Sequence, residues 1–100
     1  RGDVCWAELS DDGRRPVLIL TRSTAIPVLN KLIVIPLTTT IRGIPTEVPL
    51  DPGDGLPKEC VASFDNLRVV AKAYLVERQC TLDSVRLAAA CEALRTAIDC

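Results

Sequence analysis

Arginines, threonines and carboxylates are the side chains through which this sequence could do chemistry, because its 100 residues include no histidine. Nucleophilic catalysis of the Ser-His-Asp or Cys-His kind is therefore closed in its usual forms. A glycine-rich phosphate loop ending in lysine is also missing, which speaks against nucleotide hydrolysis by that route. The polar residues that gather near apparent strand ends are Arg14, Arg15, Thr38, Thr39, Thr40, Arg42, Glu47, Asp65, Asn66 and Arg68. That set suits attack by the 2′-hydroxyl of RNA on its own neighbouring phosphate. The reaction needs no protein nucleophile, only in-line orientation, neutralised phosphate oxygens and two proton movements. Arginine supplies paired hydrogen bonds to phosphate oxygens. Threonine hydroxyls add fixed donors where charge develops. A carboxylate such as Asp65 or Glu47 could take the 2′ proton. Arginine, with a pKa above ~12, suits an electrostatic or acid role better than a basic one.

Each of these residues also has an ordinary reading. Arg14-Arg15 before an apolar run can be a solvated turn, Thr38-Thr39-Thr40 can express strand propensity, and Asp65-Asn66 can be a simple turn. Composition does not decide between the readings. A net charge of −1 gives no basic excess of the kind a non-specific nucleic-acid binder carries. Only Trp6, Phe64 and Tyr74 are aromatic, so a stacking platform for bases is excluded.

The elements that must position these residues read as short strands followed by one helix. Asp3–Leu9, Pro16–Thr21, Lys31–Thr40, Thr46–Leu50, Glu59–Ser63, Leu67–Val70 and Tyr74–Cys80 have strand patterns. Ser10-Asp11-Asp12-Gly13 and Asp51-Pro52-Gly53-Asp54-Gly55 are turn-forming, and the stretch around Pro27 reads as a loop. Pro36 lacks a ladder donor, so its strand requires a bulge or an unpaired edge there. Thr81 reads as the cap of a helix running to Ile98, with Asp83 in its first turn. Leu87, Cys91, Leu94 and Ile98 are spaced as one apolar stripe. The expectation is a single domain over residues 1–100, mainly β, an SH3-like barrel closed by the C-terminal helix.

No apolar run is long enough to span a membrane, and no apolar signal stretch follows the opening Arg-Gly-Asp, so a cytoplasmic protein is expected. The five cysteines have no Cys-x-x-Cys spacing and read as buried or half-buried free thiols. Cys91 and Cys100 would lie roughly 13 Å apart along a helix, beyond disulfide reach.

Five segments together resemble the MazF/PemK/Kid toxins over nearly the whole chain. Arg1-Gly2-Asp3-Val4-Cys5-Trp6 is similar to that family's opening, and Gly13-Arg14-Arg15-Pro16-Val17-Leu18-Ile19-Leu20 to its next strand. Val34-Ile35-Pro36-Leu37-Thr38-Thr39-Thr40, Ile44-Pro45-Thr46-Glu47-Val48 and the Asp65-Asn66-Leu67-Arg68 segment follow in the family's order. The resemblance implies a toxin of a type II toxin–antitoxin system that cuts single-stranded RNA without metal or other cofactor. The products would carry a 2′,3′-cyclic phosphate and a 5′-hydroxyl. It makes Arg15 the catalytic arginine, Thr38 the threonine at the scissile phosphate and Asp65 a candidate base. Arg14, Thr39, Arg42, Glu47, Asn66 and Arg68 become candidate RNA contacts. It further implies a homodimer with RNA in the groove across its interface, and an antitoxin whose tail folds into that groove.

Two departures stand out. The first turn is short, only Ser10-Asp11-Asp12-Gly13, where many members carry a longer loop that helps read bases. Ser63 occupies a position where some members place a catalytic arginine. The competing readings are a non-enzymatic CcdB-like toxin on the same fold, acting by protein binding, and a generic SH3-like interaction module.

Overall fold

The computed structural model describes residues 1–9 and 13–99. Most of the first turn (residues 10–12) and Cys100 lie outside the described residues.

The chain forms β1 (Asp3–Leu9), β2 (Gly13–Ile19), β3 (Lys31–Thr38), β4 (Glu47–Leu50), β5 (Cys60–Ser63), β6 (Arg68–Ala71), β7 (Leu75–Thr81) and α1 (Ser84–Ile98). Short 3-10 turns at Pro52–Asp54, Phe64–Asn66 and Lys72–Tyr74 link the later strands. Pairing among all strands is antiparallel, in the order β4-β5-β3-β2-β1-β7 with β6 added beside β3.

Successive strand residues point to opposite faces, and here both faces of the central strands are covered. Leu18, Ile35, Leu37, Leu50 and Phe64 pack in one core together with Ala90 and Ala93 of α1. Ala7, Val17, Ile19, Leu32 and Val34 pack with Val70 in a second core on the other face. This is why β2 and β3 read as continuous apolar runs without clean alternation.

Pro36 is the point where β3 changes partners. On its outer edge, Lys31–Val34 pair with β6, whereas Leu37 and Thr38 pair with β5. Ile35 and Pro36 face the gap between the two, so the missing N–H costs no ladder bond on that edge. The expected unpaired edge at Pro36 is found. The expected closed barrel is not. Among the described residues β7 pairs only with β1 and β4 only with β5, leaving an open sheet. Splitting the outer edge of β3 between two partners ends one part of the sheet at β6 and carries the other on to β4. A run of short strands does not by itself specify closure.

The helix differs from its expected start and face. Thr81 is the last residue of β7, where its hydroxyl donates to Asp3 Oδ1 at 2.7 Å. Asp83 is the cap, its side chain accepting from the Arg86 N–H at 2.8 Å. The buried seam consists of Ala90 and Ala93, flanked by Leu87, Leu94 and Ala97, while Ile98 is 55% exposed. Alanines at the contact let the helix approach the sheet closely, which rotates the apolar stripe away from the one read through Cys91 and Ile98. Gly2 completes the joint beneath α1. Its φ of +89° suits glycine, and a Cβ there would meet Leu87 Cδ2 at 3.1 Å.

Candidate active site

Strand register assembles the site. Val17 and Pro36 are the last pair of the β2–β3 ladder, and beyond it Arg15 on β2 and Thr38 at the end of β3 come to one cleft. Both are half-buried and line a cleft of about 240 Å³, together with Trp6, Arg14, Lys58 and Cys60. Thr38 ends β3, and its Oγ1 accepts from the Thr40 N–H at 3.1 Å. With that lone pair engaged, the hydroxyl proton is left to donate outward.

Arg14 is on the rim. Its guanidinium lies 5.4 Å from the Trp6 ring centroid and pairs with Glu77 at 3.1 Å. Both partners of that ion pair are at least half exposed, so it orients Arg14 more than it stabilises the fold. Arg14 also borders a second, larger hollow of about 790 Å³, to which Glu8, Lys31, Arg68 and Tyr74 contribute. The two hollows thus meet at one arginine. Thr39 lines the smaller cleft and Arg68 the larger.

The remaining sequence candidates form a separate group. Asp65 Oδ2 accepts from the Thr46 hydroxyl at 2.6 Å. Asn66 Nδ2 donates to Ser63 Oγ at 3.1 Å, and Ser63 is itself buried in β5. Glu47, 8% exposed, accepts from the backbone N–H groups of Arg42 and Gly43 at 3.0 and 2.9 Å. Glu47 pairs in register with Ser63, whereas Thr38 pairs with Val61. From Val61 the chain leaves β5 at Ser63 and enters the Phe64–Asn66 turn that carries Asp65. Asp65, Asn66, Glu47, Arg42 and Ser63 do not line the Arg15–Thr38 cleft. The structure therefore brings Arg14, Arg15, Thr38 and Thr39 together and holds the proposed base apart from them.

Lys58 and Trp6 line the cleft without having been singled out in the sequence. Lys58 follows the Asp51–Gly55 turn, where no strand or helix pattern indicates what it faces. Cys60 also lines the cleft. Burial, reinforced by the negative charge of Asp54 and by Cys80, pushes its thiol up, so it stays protonated near neutrality and is no nucleophile. Cys5, Cys60, Cys80 and Cys91 are free thiols, the first two buried. Among the described residues, no three His, Cys, Asp or Glu side chains are grouped as a metal site needs. No described helix is long and apolar enough to cross a membrane.

Residues 1–98 match the family model of PemK-like, MazF-like toxins of type II toxin–antitoxin systems. The chain belongs to this family. A Mycobacterium tuberculosis relative named "Probable endoribonuclease MazF5" is 46% identical over 101 aligned positions, spanning all of this chain and 93% of its own length. The solved structure of Mycobacterium tuberculosis toxin MazF-mt6 superimposes with a TM-score of 0.91 at 39% identity, covering 97% of this chain and 96% of that one. A mycobacterial endoribonuclease solved in complex with its cognate antitoxin gives a TM-score of 0.89 at 29% identity, covering 99% and 93%. In this toxin the five family-like segments fall on β1, β2, β3, β4 and the β5–β6 stretch. Four of them are strands of the two cores or their margins, so much of the family pattern is a folding pattern. Arg15 and Thr38 are family-matched polar residues that line the same cleft.

Proposed function

We propose that this toxin is an endoribonuclease that cleaves single-stranded RNA at short sequence motifs by 2′-hydroxyl attack. The carrying observation is that Arg15 and Thr38 line one cleft just beyond the end of the β2–β3 ladder. The 2′ oxygen attacks its adjacent phosphorus, the bond to the 5′ oxygen breaks, and the products are a 2′,3′-cyclic phosphate and a 5′-hydroxyl. The 2′-hydroxyl gives up its proton to solvent, and the leaving 5′ oxygen takes one up. Arg15 stabilises the charge on the phosphate oxygens as the attack proceeds, and Thr38 donates a hydrogen bond to the same group. The reaction requires no metal or cofactor. Arg14 and Thr39 hold the flanking strand, which runs toward Arg68 in the larger hollow. Asp65, Asn66, Glu47 and Arg42 shape the groove wall on the β4 side, where Asp65 is engaged by the Thr46 hydroxyl and does not line the Arg15 cleft.

The toxin works as a homodimer in the cytoplasm. Ile33 on β3, 41% exposed, pairs in register with Val69 on β6, 56% exposed, an apolar surface that a second copy would cover. The RNA groove follows that interface, and the tail of a cognate antitoxin occupies it in the inhibited complex.

The test is incubation of mixed RNA with purified protein in the presence of EDTA, followed by end-group analysis. Cleavage leaving 5′-hydroxyl ends is expected, and a single 2′-deoxy substitution at the cut site abolishes it. Intact RNA across a wide range of protein concentration overturns the nuclease reading, and cleavage that survives the 2′-deoxy substitution overturns the mechanism.

A further inference from the structure

Two cations in the active-site cleft have no carboxylate partner among the described residues: Arg15 and Lys58. Arg14 beside them is paired with Glu77. Two uncompensated positive groups lining one cleft of about 240 Å³ form an anion site, and for an RNA-cutting protein the anion is backbone phosphate.

What fixes Lys58 there is a clamp at the far end of its loop. The segment from Asp51 to Gly55 is a closed turn: the Asp51 side chain accepts from the Gly53 N–H and the Asp54 side chain from the Asp51 N–H, both at 2.9 Å. Gly55 ends it at φ +103°, packed so closely on β7 that a Cβ would lie 2.8 Å from Cys80 Cβ. Arg86 reaches across from α1, its Nε 3.1 Å from Asp54 Oδ1 and a terminal nitrogen 3.6 Å from Asp51 Oδ2. Asp54 is only 8% exposed. Beyond this tied turn, Leu56 is buried in the core beneath α1, and Pro57 restricts the next backbone step. Lys58 therefore leaves a braced loop, exposed and lining the cleft. The turn is over-determined for a surface connection, and the side chain it delivers is the cleft's second uncompensated cation.

We propose that Lys58 binds a phosphate of the RNA substrate next to the one held by Arg15, and that Arg86 and Asp54 are positioning residues acting through it. This rests on the nuclease reading given above. Lys58 serves binding more than chemistry, so its loss raises KM and leaves kcat nearly unchanged. Arg86 shows the same split, because it moves the lysine and touches no RNA.

The experiment uses a short RNA containing one cut site, and the same oligonucleotide with a 2′-deoxy residue at that site as an uncleavable binding probe. Lys58→Gln is expected to raise KM about tenfold, the loss of one hydrogen bond to a charged group. It should also flatten the salt dependence of probe binding by about 0.7 in the logarithmic slope, one phosphate contact on a single strand. Lys58→Arg restores both. Arg86→Gln raises KM without lowering kcat, and combining it with Lys58→Gln adds little to Lys58→Gln alone. A Lys58→Gln protein with unchanged KM and salt slope, beside a wild type that cuts normally, overturns the lysine assignment alone. Fully additive effects of the two substitutions overturn the positioning role. A wild type that leaves RNA intact overturns the nuclease reading, and probe binding still reports on Lys58.

Discussion

The Arg15–Thr38 cleft and the Glu47–Asp65 corner are built from similar polar residues, both reached from ends of β3 and β5. They differ in how their polar groups are satisfied. In the corner, Glu47 Oε1 holds two backbone N–H groups while its buried Oε2 has no partner among the described residues, Asp65 holds the Thr46 hydroxyl, and Asn66 donates to Ser63. In the cleft, Arg15 has no carboxylate partner among the described residues, and Thr38 keeps a free proton beside a satisfied lone pair. A polar group that already has its partners stabilises the fold, and one without them is available to substrate. Under the proposed mechanism, the corner's polar groups are mostly engaged within the fold, whereas those of the cleft are left to meet RNA.

The largest effect should fall on the cleft. Arg15→Ala should lower kcat by ~10²–10³-fold and Thr38→Ala by less, with unfolding free energies within ~0.5 kcal/mol of wild type. Cleavage kinetics and urea unfolding on the same preparations check this, and full activity in Arg15→Ala would break the assignment. The corner should behave the opposite way. Glu47→Ala strands the N–H groups of Arg42 and Gly43 and should cost about 1–3 kcal/mol of stability, measured by denaturant unfolding. A stability equal to wild type would show that the carboxylate does not hold the 42–47 turn.

Asp65→Asn sharpens the contrast further. Its exposed bond to Thr46 contributes at most ~1 kcal/mol, and activity should fall only a few-fold. A loss beyond ~100-fold, the scale of general base catalysis, would bring Asp65 into the chemistry and erase the distinction. The smallest effect concerns the clamp. Burial alone would raise the Asp54 carboxyl, but the Asp51 N–H and the Arg86 guanidinium outweigh it and hold it below its ordinary value of 3.8. A depressed carboxylate contributes stability above its unfolded pKa and loses it as pH falls through the folded value. The stability gap between wild type and Asp54→Asn should therefore be full at pH 6 and shrink below about pH 4. A gap independent of pH would mean that the charge on Asp54 does not carry the clamp.

Apolar strands, turn residues and the family-like segments were legible because each depends on residues close in sequence. Pro36 marked its own unpaired edge for the same reason, since a missing N–H is a local fact. The start of α1 was misplaced between Thr81 and Asp83 because both residues can cap, and the choice depends on β7 pairing with β1. The helix face was misjudged because Cys91 and Ile98 are apolar enough to be core, whereas close approach to the sheet selects Ala90 and Ala93.

By itself, then, the sequence determined a mainly β domain with one terminal helix, the family, and the pair Arg15 and Thr38 as reactive candidates. These follow from local patterning and from residue order, which a chain carries without folding. Tertiary structure alone decided that the sheet stays open, that Asp65 stands apart from the cleft, and that Lys58 enters it. Each of those depends on which strand pairs with which, and on a bridge from Arg86 to Asp54 across 32 residues of chain. Register and long-range charge pairing come into being only when distant segments meet.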